Sequence, residues 1–296
     1  MSKILCFGSL NIDRTYSVDE IVRKGETISS KSYEEFIGGK GLNQSIALSK
    51  AGGDVYHAGI VGKEDGQVLV KYLKDSGVNV DFIKYLDYPS GHAIIQIDKR
   101  GNNSIIVYGG TNRMVDKKFI DDVLDNFSEG DLILLQNEIS NISYIVDRAY
   151  EKRMIIAFNP SPFDKFVKEV DLNKITYFLV NEIEASMISG QMNESDILKY
   201  MVENYPEGKV VMTVGSRGAR YLDKNMSYDV SGEKVDAIDT TGAGDTFCGY
   251  FLSSISRGKS VEESMNIANK ASAFACTIKG ASNSIPEIGD LYETYY

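Results

Sequence analysis

Residues 239–251 read DTTGAGDTFCGYF. Two aspartates and two glycines run straight into a stretch of helical spacing, in which Phe247, Tyr250, Phe251 and Ile255 share one face. Glycines ahead of a helix often cradle phosphate, but the Gly-Lys-Ser/Thr of a P-loop is missing. Gly242 and Gly244 carry no Cβ, so an anion can approach the backbone closely. The first N–H groups of a helix lack intrahelical partners, and the helix dipole adds partial positive charge there. Gly242, Ala243 and Gly244 therefore predict an anion hole that needs no lysine. Asp245 at its mouth suits a general base, taking the proton of a hydroxyl that attacks a phosphoryl group. The alternative is a plain helix cap.

The remaining chain supplies a sheet for such a helix. KILCFG (3–8) and DVYHAGIVG (54–62) read as buried strands, and 38–53 and 66–77 as helices, the first entered and left through glycines. From residue 116, the apolar strands DLILLQ, MIIAFN, ITYFLVN and KVVMTVG alternate with helical stretches near 141–152, 182–189 and 194–204. A further helix, 260–278, lines up Val261, Met265, Ala268, Ser272 and Ala275. Near-continuous apolar strands separated by helices imply a parallel sheet covered on both faces. HAIIQID (92–98) and NSIIVY (103–108) predict a hairpin which, with residues 14–37, forms a small separate sheet. The expectation is one α/β domain, 1–296, with a β-rich appendage. Ligands of open α/β sheets collect at the carboxyl ends of strands. Polar residues cluster at such places: Asn11 and Asp13, Asn137 and Glu138, Asn159, Asn181 and Glu184, Thr213 and Gly215.

Composition removes several classes of function. The 296 residues carry a formal charge of -10, with 42 acidic against 32 basic side chains and no basic block. Nucleic acid and anionic membranes are therefore not expected partners. Two histidines leave no room for a His-rich metal site or a Ser-His-Asp triad. Cys6, Cys248 and Cys276 lack ligand spacing and suit a reduced, cytoplasmic protein. The N-terminal apolar run is too short for a signal peptide, and no segment reaches the length of a membrane span.

DTTGAGDTF resembles the C-terminal signature of the ribokinase-like carbohydrate kinases, and GGKGLNQ (38–44) resembles their N-terminal one. The similarity continues through GSLNID (8–13), GET (25–27), NPSP (159–162), VNEIE (180–184), TVGSRG (213–218) and KGASNSIP (279–286), in the family's order. Val180 stands where a proline is often found. The resemblance implies a three-layer α/β/α sandwich with a mainly parallel central sheet and a small β-sheet lid, about 14–37 plus 91–110. In that family the lid also joins two subunits, which implies a homodimer.

By the same resemblance, Asn11, Ile12, Asp13, Gly39, Lys40, Gly41, Asn43 and Glu138 match sugar-binding positions, and Asp245 matches the base. Carboxylates and amides make directional hydrogen bonds to several hydroxyls, which suits a sugar. Asn181 and Glu184 match an N-x-x-E element that positions magnesium and phosphate; at this spacing both side chains share a helix face. Thr213, Val214, Gly215, Ser216, Arg217 and Gly218 match the nucleotide-binding strand end and turn, which Gly244 adjoins, and Asn269 matches a position beside adenine. Asp239 and Thr241, with Ala275, Ile278, Gly280 and Ser284, match a potassium site. An Asx-turn through the Thr241 N–H is the alternative for Asp239.

The implied activity is ATP-dependent phosphorylation of ribose at its primary hydroxyl. Deoxyribose, a nucleoside or a ketose are alternative substrates, and a non-catalytic sugar-binding regulator is the alternative of another class. A dinucleotide oxidoreductase is disfavoured because no GxGxxG follows the first strand.

Overall fold

Strand β1 (Ile4–Phe7) is buried along its whole length, and parallel neighbours flank it on both sides. In a computed structural model that describes residues 2–295, it lies inside a nine-stranded sheet. Numbered along the chain, the remaining strands are β2 (Asn11–Ser17), β3 (Ser32–Gly38), β4 (Val55–Gly62), β5 (Asn79–Leu86), β6 (Gly91–Ile97) and β7 (Asn103–Tyr108). They continue with β8 (Leu132–Gln136), β9 (Ile155–Asn159), β10 (Tyr177–Asn181), β11 (Lys209–Thr213), β12 (Gly218–Leu222) and β13 (Ser227–Ser231). The large sheet runs β13-β12-β11-β10-β9-β8-β1-β4-β5, and a four-stranded sheet runs β3-β2-β6-β7.

The helices form the outer layers. One apolar cluster joins the sheet to α1 (Lys40–Lys50), α2 (Gln67–Asp75), α7 (Ala243–Ser256) and α8 (Val261–Ala275). The other joins it to α3 (Lys117–Leu124), α4 (Ile142–Glu151), α5 (Glu182–Ser189) and α6 (Glu194–Asn204). This is the expected three-layer α/β/α arrangement with a second, smaller sheet. The continuous apolar runs became the buried interior strands β8 to β11, as required when both faces are covered. No helix among the described residues is long and apolar enough to cross a membrane.

Three departures have physical causes. Strands β5 and β13 occupy the sheet edges, where half-exposed, polar-rich strands carry no continuous apolar signal, and β12, antiparallel between β11 and β13, is a short run interrupted by Gly218 and Arg220. Helix α8 ends at Ala275, and residues 276–278 form a turn. Asn11 and Asp13 do not terminate β1; they open β2, in the small sheet, because the chain turns at Gly8–Leu10.

Two close backbone approaches set the site. A Cβ on Gly41 would lie 2.4 Å from the Ser9 nitrogen, so only glycine lets the start of α1 rest on the β1–β2 turn. A Cβ on Gly249 would lie 2.3 Å from the Ala47 Cβ, so α7 meets α1 at bare backbone. One turn earlier on each helix stand Asn43 and Gln44, facing Asp245.

Candidate active site

Helix α7 begins at Ala243, and its cap is Gly242 in the left-handed region (φ 77°). Asp245 therefore lies inside the first turn and does not cap the helix. Its buried carboxylate accepts from Asn43 Nδ2 (3.1 Å) and Gln44 Nε2 (2.8 Å), both on α1. A Cβ on Gly244 would meet nothing within 4 Å, so this part of the helix start faces open space.

That space is a cavity of about 150 Å³ whose walls include Asp245, Gly242, Gly244, Asn181, Glu184 and Lys40. The anion hole expected to lack a lysine thus shares its chamber with one from a distant segment. Lys40 is the first residue of α1, behind Gly39 at φ 96°. Asp245 foremost, then Glu138 and Glu184, hold its ammonium pKa above the ordinary value against the opposing effect of burial.

Glu138 ties the β1–β2 turn to the start of α1. One of its oxygens accepts from the Ser9 hydroxyl and from the Lys40 backbone N–H (3.0 Å). Burial first, and Glu138 second, push the Asp13 carboxyl up to about 6. The carboxylate crowds Gly38, where a Cβ would lie 2.1 Å from Asp13 Oδ2. Asn11 Oδ1 accepts from Asn112 Nδ2 (2.8 Å), which turns the Asn11 NH2 group outward as a donor. Asn43 Oδ1 is buried without a partner. Ile12 belongs to the apolar core.

A second cavity, about 260 Å³, shares Thr213, Gly244 and Phe247 with the first. Gly215, Ser216, Gly218 and Asn269 line it; Asn269 Nδ2 donates to the Ser231 carbonyl (2.9 Å). Two expected members stand apart. Val214 is buried beneath the turn, and Arg217 points outward to Glu194 and Glu182.

Asn181 and Glu184 form a capping box at the start of α5, yet both also line the first cavity, and Glu184 is buried. Asn181 Oδ1 already accepts the N–H groups of Ile183 and Glu184 (2.9 and 2.8 Å), so its NH2 is what remains to face a ligand. Asp239 Oδ1 accepts from the Thr241 N–H (2.9 Å) and hydroxyl (2.7 Å), and Oδ2 accepts from the Gly280 N–H (2.9 Å). The Asx-turn is therefore present. Burial raises the Asp239 carboxyl, but these donors outweigh it and hold the pKa below its ordinary value. Gly280 lies beside Asp239, while Ala275 and Ser284 are buried along the same connection and Ile278 is exposed.

Four residues of the constellation, Ser9, Gln44, Asn112 and Gln136, are absent from the expected set. Gln44 had a signal, as the last residue of GGKGLNQ, and so did Gln136, a polar end to an apolar strand.

A buried carboxylate in the first turn of a helix, a chamber of mixed charge beside it, a carboxylate–amide cluster on one side and a second cavity on the other are the arrangement of a phosphotransferase acting on a polyhydroxylated acceptor. The chain belongs to the pfkB family of carbohydrate kinases, whose sequence model matches residues 1–288. It is 28% identical over 296 residues to the ribokinase of Bacillus subtilis (strain 168), covering 99% of both chains. It is 32% identical over 310 residues to the ribokinase of Schizosaccharomyces pombe, covering 97% of this chain and 96% of that one. A solved structure of Arabidopsis thaliana ribokinase complexed with ribose and ATP superposes with a TM-score of 0.88 at 27% identity, covering 99% of this chain and 98% of that one.

Proposed function

We propose that this protein is an ATP-dependent kinase that transfers the γ-phosphoryl group of ATP to the 5-hydroxyl of D-ribose. The observation that carries the reading is the placement of Asp245: buried, held by two amides, and in the first turn of a helix that opens on Gly242 and Gly244. The nature of the relatives supports ribose as the acceptor and ATP as the donor.

In this reading the sugar lies against Asn11, Asp13, Asn43 and Glu138, and the nucleotide occupies the cavity lined by Gly215, Gly218 and Asn269. Asp245 takes the proton of the 5-hydroxyl as its oxygen bonds to the γ-phosphorus, and the bond from that phosphorus to the β,γ-bridging oxygen breaks to release ADP. The N–H groups of residues 243–245 and the Lys40 ammonium meet the charge on the transferring group.

Magnesium would be held by Glu184 through water, with the Asn181 NH2 donating to phosphate; bound there, it would neutralise charge on the polyphosphate. Potassium would bind between Asp239 and the 275–284 connection, where it would stiffen the backbone ahead of α7. The four-stranded sheet serves as lid and dimer contact, its Ile105, Ile106 and Val107 being exposed. Three free cysteines suit a cytoplasmic enzyme.

A panel of pentoses, hexoses and nucleosides, with ATP consumption followed and products identified, tests this reading. Ribose should give the highest kcat/KM and ribose 5-phosphate as product, and K⁺ in a choline background should raise kcat. A nucleoside or hexose as the preferred acceptor would overturn the assignment. Equal rates with and without K⁺ would leave Asp239 as a structural cap.

Asp13 gives a pH-dependent expectation. Its carboxyl rises from an ordinary 3.8 to about 6 on folding, so the folded protein holds this proton more tightly than the unfolded chain. Its stabilising contribution is complete below about 3.8 and is lost as pH rises through about 6. Asp13→Asn should therefore raise the Tm of the sugar-free protein most near pH ~8, less near pH ~5, and not at all near pH ~3. It should also raise the sugar KM by roughly ten- to a hundred-fold, through loss of a charged hydrogen bond. A change confined to the ATP KM would remove Asp13 from the sugar site.

A further inference from the structure

Beneath the candidate base runs a buried chain of amides. Gln136 Nε2, at the end of β8, donates to Gln44 Oε1 (2.7 Å), and Gln44 Nε2 donates to Asp245 Oδ1 (2.8 Å). Gln44 and Gln136 are almost completely shielded from solvent, and neither lines the cavities on either side of Asp245. The proposed mechanism gives them no task.

The chain has only one workable direction. An ionised carboxylate can only accept, so Gln44 must turn its NH2 to Asp245. Its carbonyl oxygen then faces Gln136, which must answer with its own NH2. Reversing either amide would set oxygen against oxygen or NH2 against NH2. Gln136 Oε1 is left buried without a partner, pressed against Gly8, where a Cβ would lie 2.3 Å away. A buried acceptor without a partner is unfavourable. The preference that outweighs it originates at the carboxylate and is relayed by Gln44 at 2.7 Å, with the Cys6 sulfur a longer second acceptor for the Gln136 NH2 (3.6 Å).

Resting on the reading of Asp245 as the base, we propose that Gln44, oriented by Gln136, is a positioning residue that fixes the plane of the Asp245 carboxylate for proton transfer. The terminal torsion of an aspartate is soft, so the side chain does not set this plane by itself. Asn43 restrains Oδ2 at 3.1 Å, and Gln44 supplies the shorter bond from the protein side, leaving the cavity side to the hydroxyl. Proton transfer is steep in geometry, and displacement of a reacting group by an ångström can lower rate strongly.

The test is a double-mutant cycle on kcat with ribose and ATP. Gln44→Met keeps length and burial but removes the donor; it should lower kcat by about 10- to 100-fold while both KM values stay within about threefold. Gln136→Met should lower kcat by a smaller factor, because the Gln44 amide is then free to turn. The double variant should be no slower than Gln44→Met, since the anchor has nothing left to orient. Gln44→Glu, which sets carboxylate against carboxylate, should be slower than Gln44→Met. A Gln44→Met enzyme within about twofold of wild-type kcat would overturn the proposal, as would losses that multiply in the double variant or a rise in KM alone. If Gln44→Met fails to fold, Gln136→Met decides by whether kcat falls at unchanged KM. An inactive wild-type protein would overturn the kinase reading itself, whereas an active one with indifferent variants would overturn only the positioning role.

Discussion

Asp245→Asn is expected to lower kcat by about 10²–10⁴-fold, while the KM values for sugar and ATP and the Tm stay close to wild type. An amide oxygen cannot take up the hydroxyl proton at neutral pH, so the attacking oxygen would have to lose it to water. The fold should tolerate the change because the surrounding amides can re-pair. The new carbonyl oxygen can keep the bond from Gln44 Nε2, now 2.8 Å from Oδ1. The new NH2 would face Asn43, whose own Oδ1 is buried without a partner, so the Asn43 amide has a reason to turn and accept from it. ADP release under saturating substrates, with melting followed in parallel, checks both halves. A variant within about tenfold of wild-type kcat would leave Asp245 as an anion-hole residue and require another base.

The parts of this architecture legible in the sequence are those whose signal is local. Strands β8 to β11 declare themselves by uninterrupted apolar runs, because both faces of each are covered. Strands β5 and β13 do not, because an edge strand is half solvated and its composition approaches that of a loop, and β12 does not because Gly218 and Arg220 break its apolar run. The start of α7 is legible from its glycines as a helix start open to a ligand. Whether Asp245 caps the helix is a question of one backbone angle, settled by Gly242 at φ 77°. Asn181 shows why such alternatives need not exclude each other: its oxygen caps α5 while its NH2 stays free for a ligand.

Contacts across the chain carry no such signal. Gln44 and Asp245 are separated by 201 positions, and Gln136 and Gln44 by 92, so nothing in either segment announces the chain they form. Lys40 is another case. Flanked by glycines it reads as part of a sugar pocket, and only the meeting of α1 with α7 brings it into the chamber of Asp245 and Glu184.

Lys40→Met is accordingly expected to lower kcat by about 10²–10³-fold, the loss that follows removal of one preorganised donor from a developing anion. Lys40 is the cation lining a chamber that also holds Asp245 and Glu184, and Glu138 acts on it from nearby. Without it, the carboxylates of Asp245 and Glu184 would confront an incoming polyphosphate with no cation between them, so the KM for ATP should rise as well. The sugar KM should change less, because the Lys40 backbone N–H, which holds Glu138 at 3.0 Å, survives the substitution. The pKa of Lys40 is held above 10.5, by Asp245 most of all, so its charge persists throughout the neutral range. The variant's deficit should therefore be nearly constant across neutral pH, shrinking only under alkaline conditions where the wild-type ammonium itself begins to deprotonate. Lys40→Arg should recover only part of the loss: the guanidinium keeps the charge, but its planar fork is larger than an ammonium and fits a chamber of about 150 Å³ poorly. Steady-state kinetics of both variants against pH supply the measurement. Full activity in Lys40→Met would assign charge stabilisation to the helix start alone, which is what residues 242–245 imply when read without the rest of the chain.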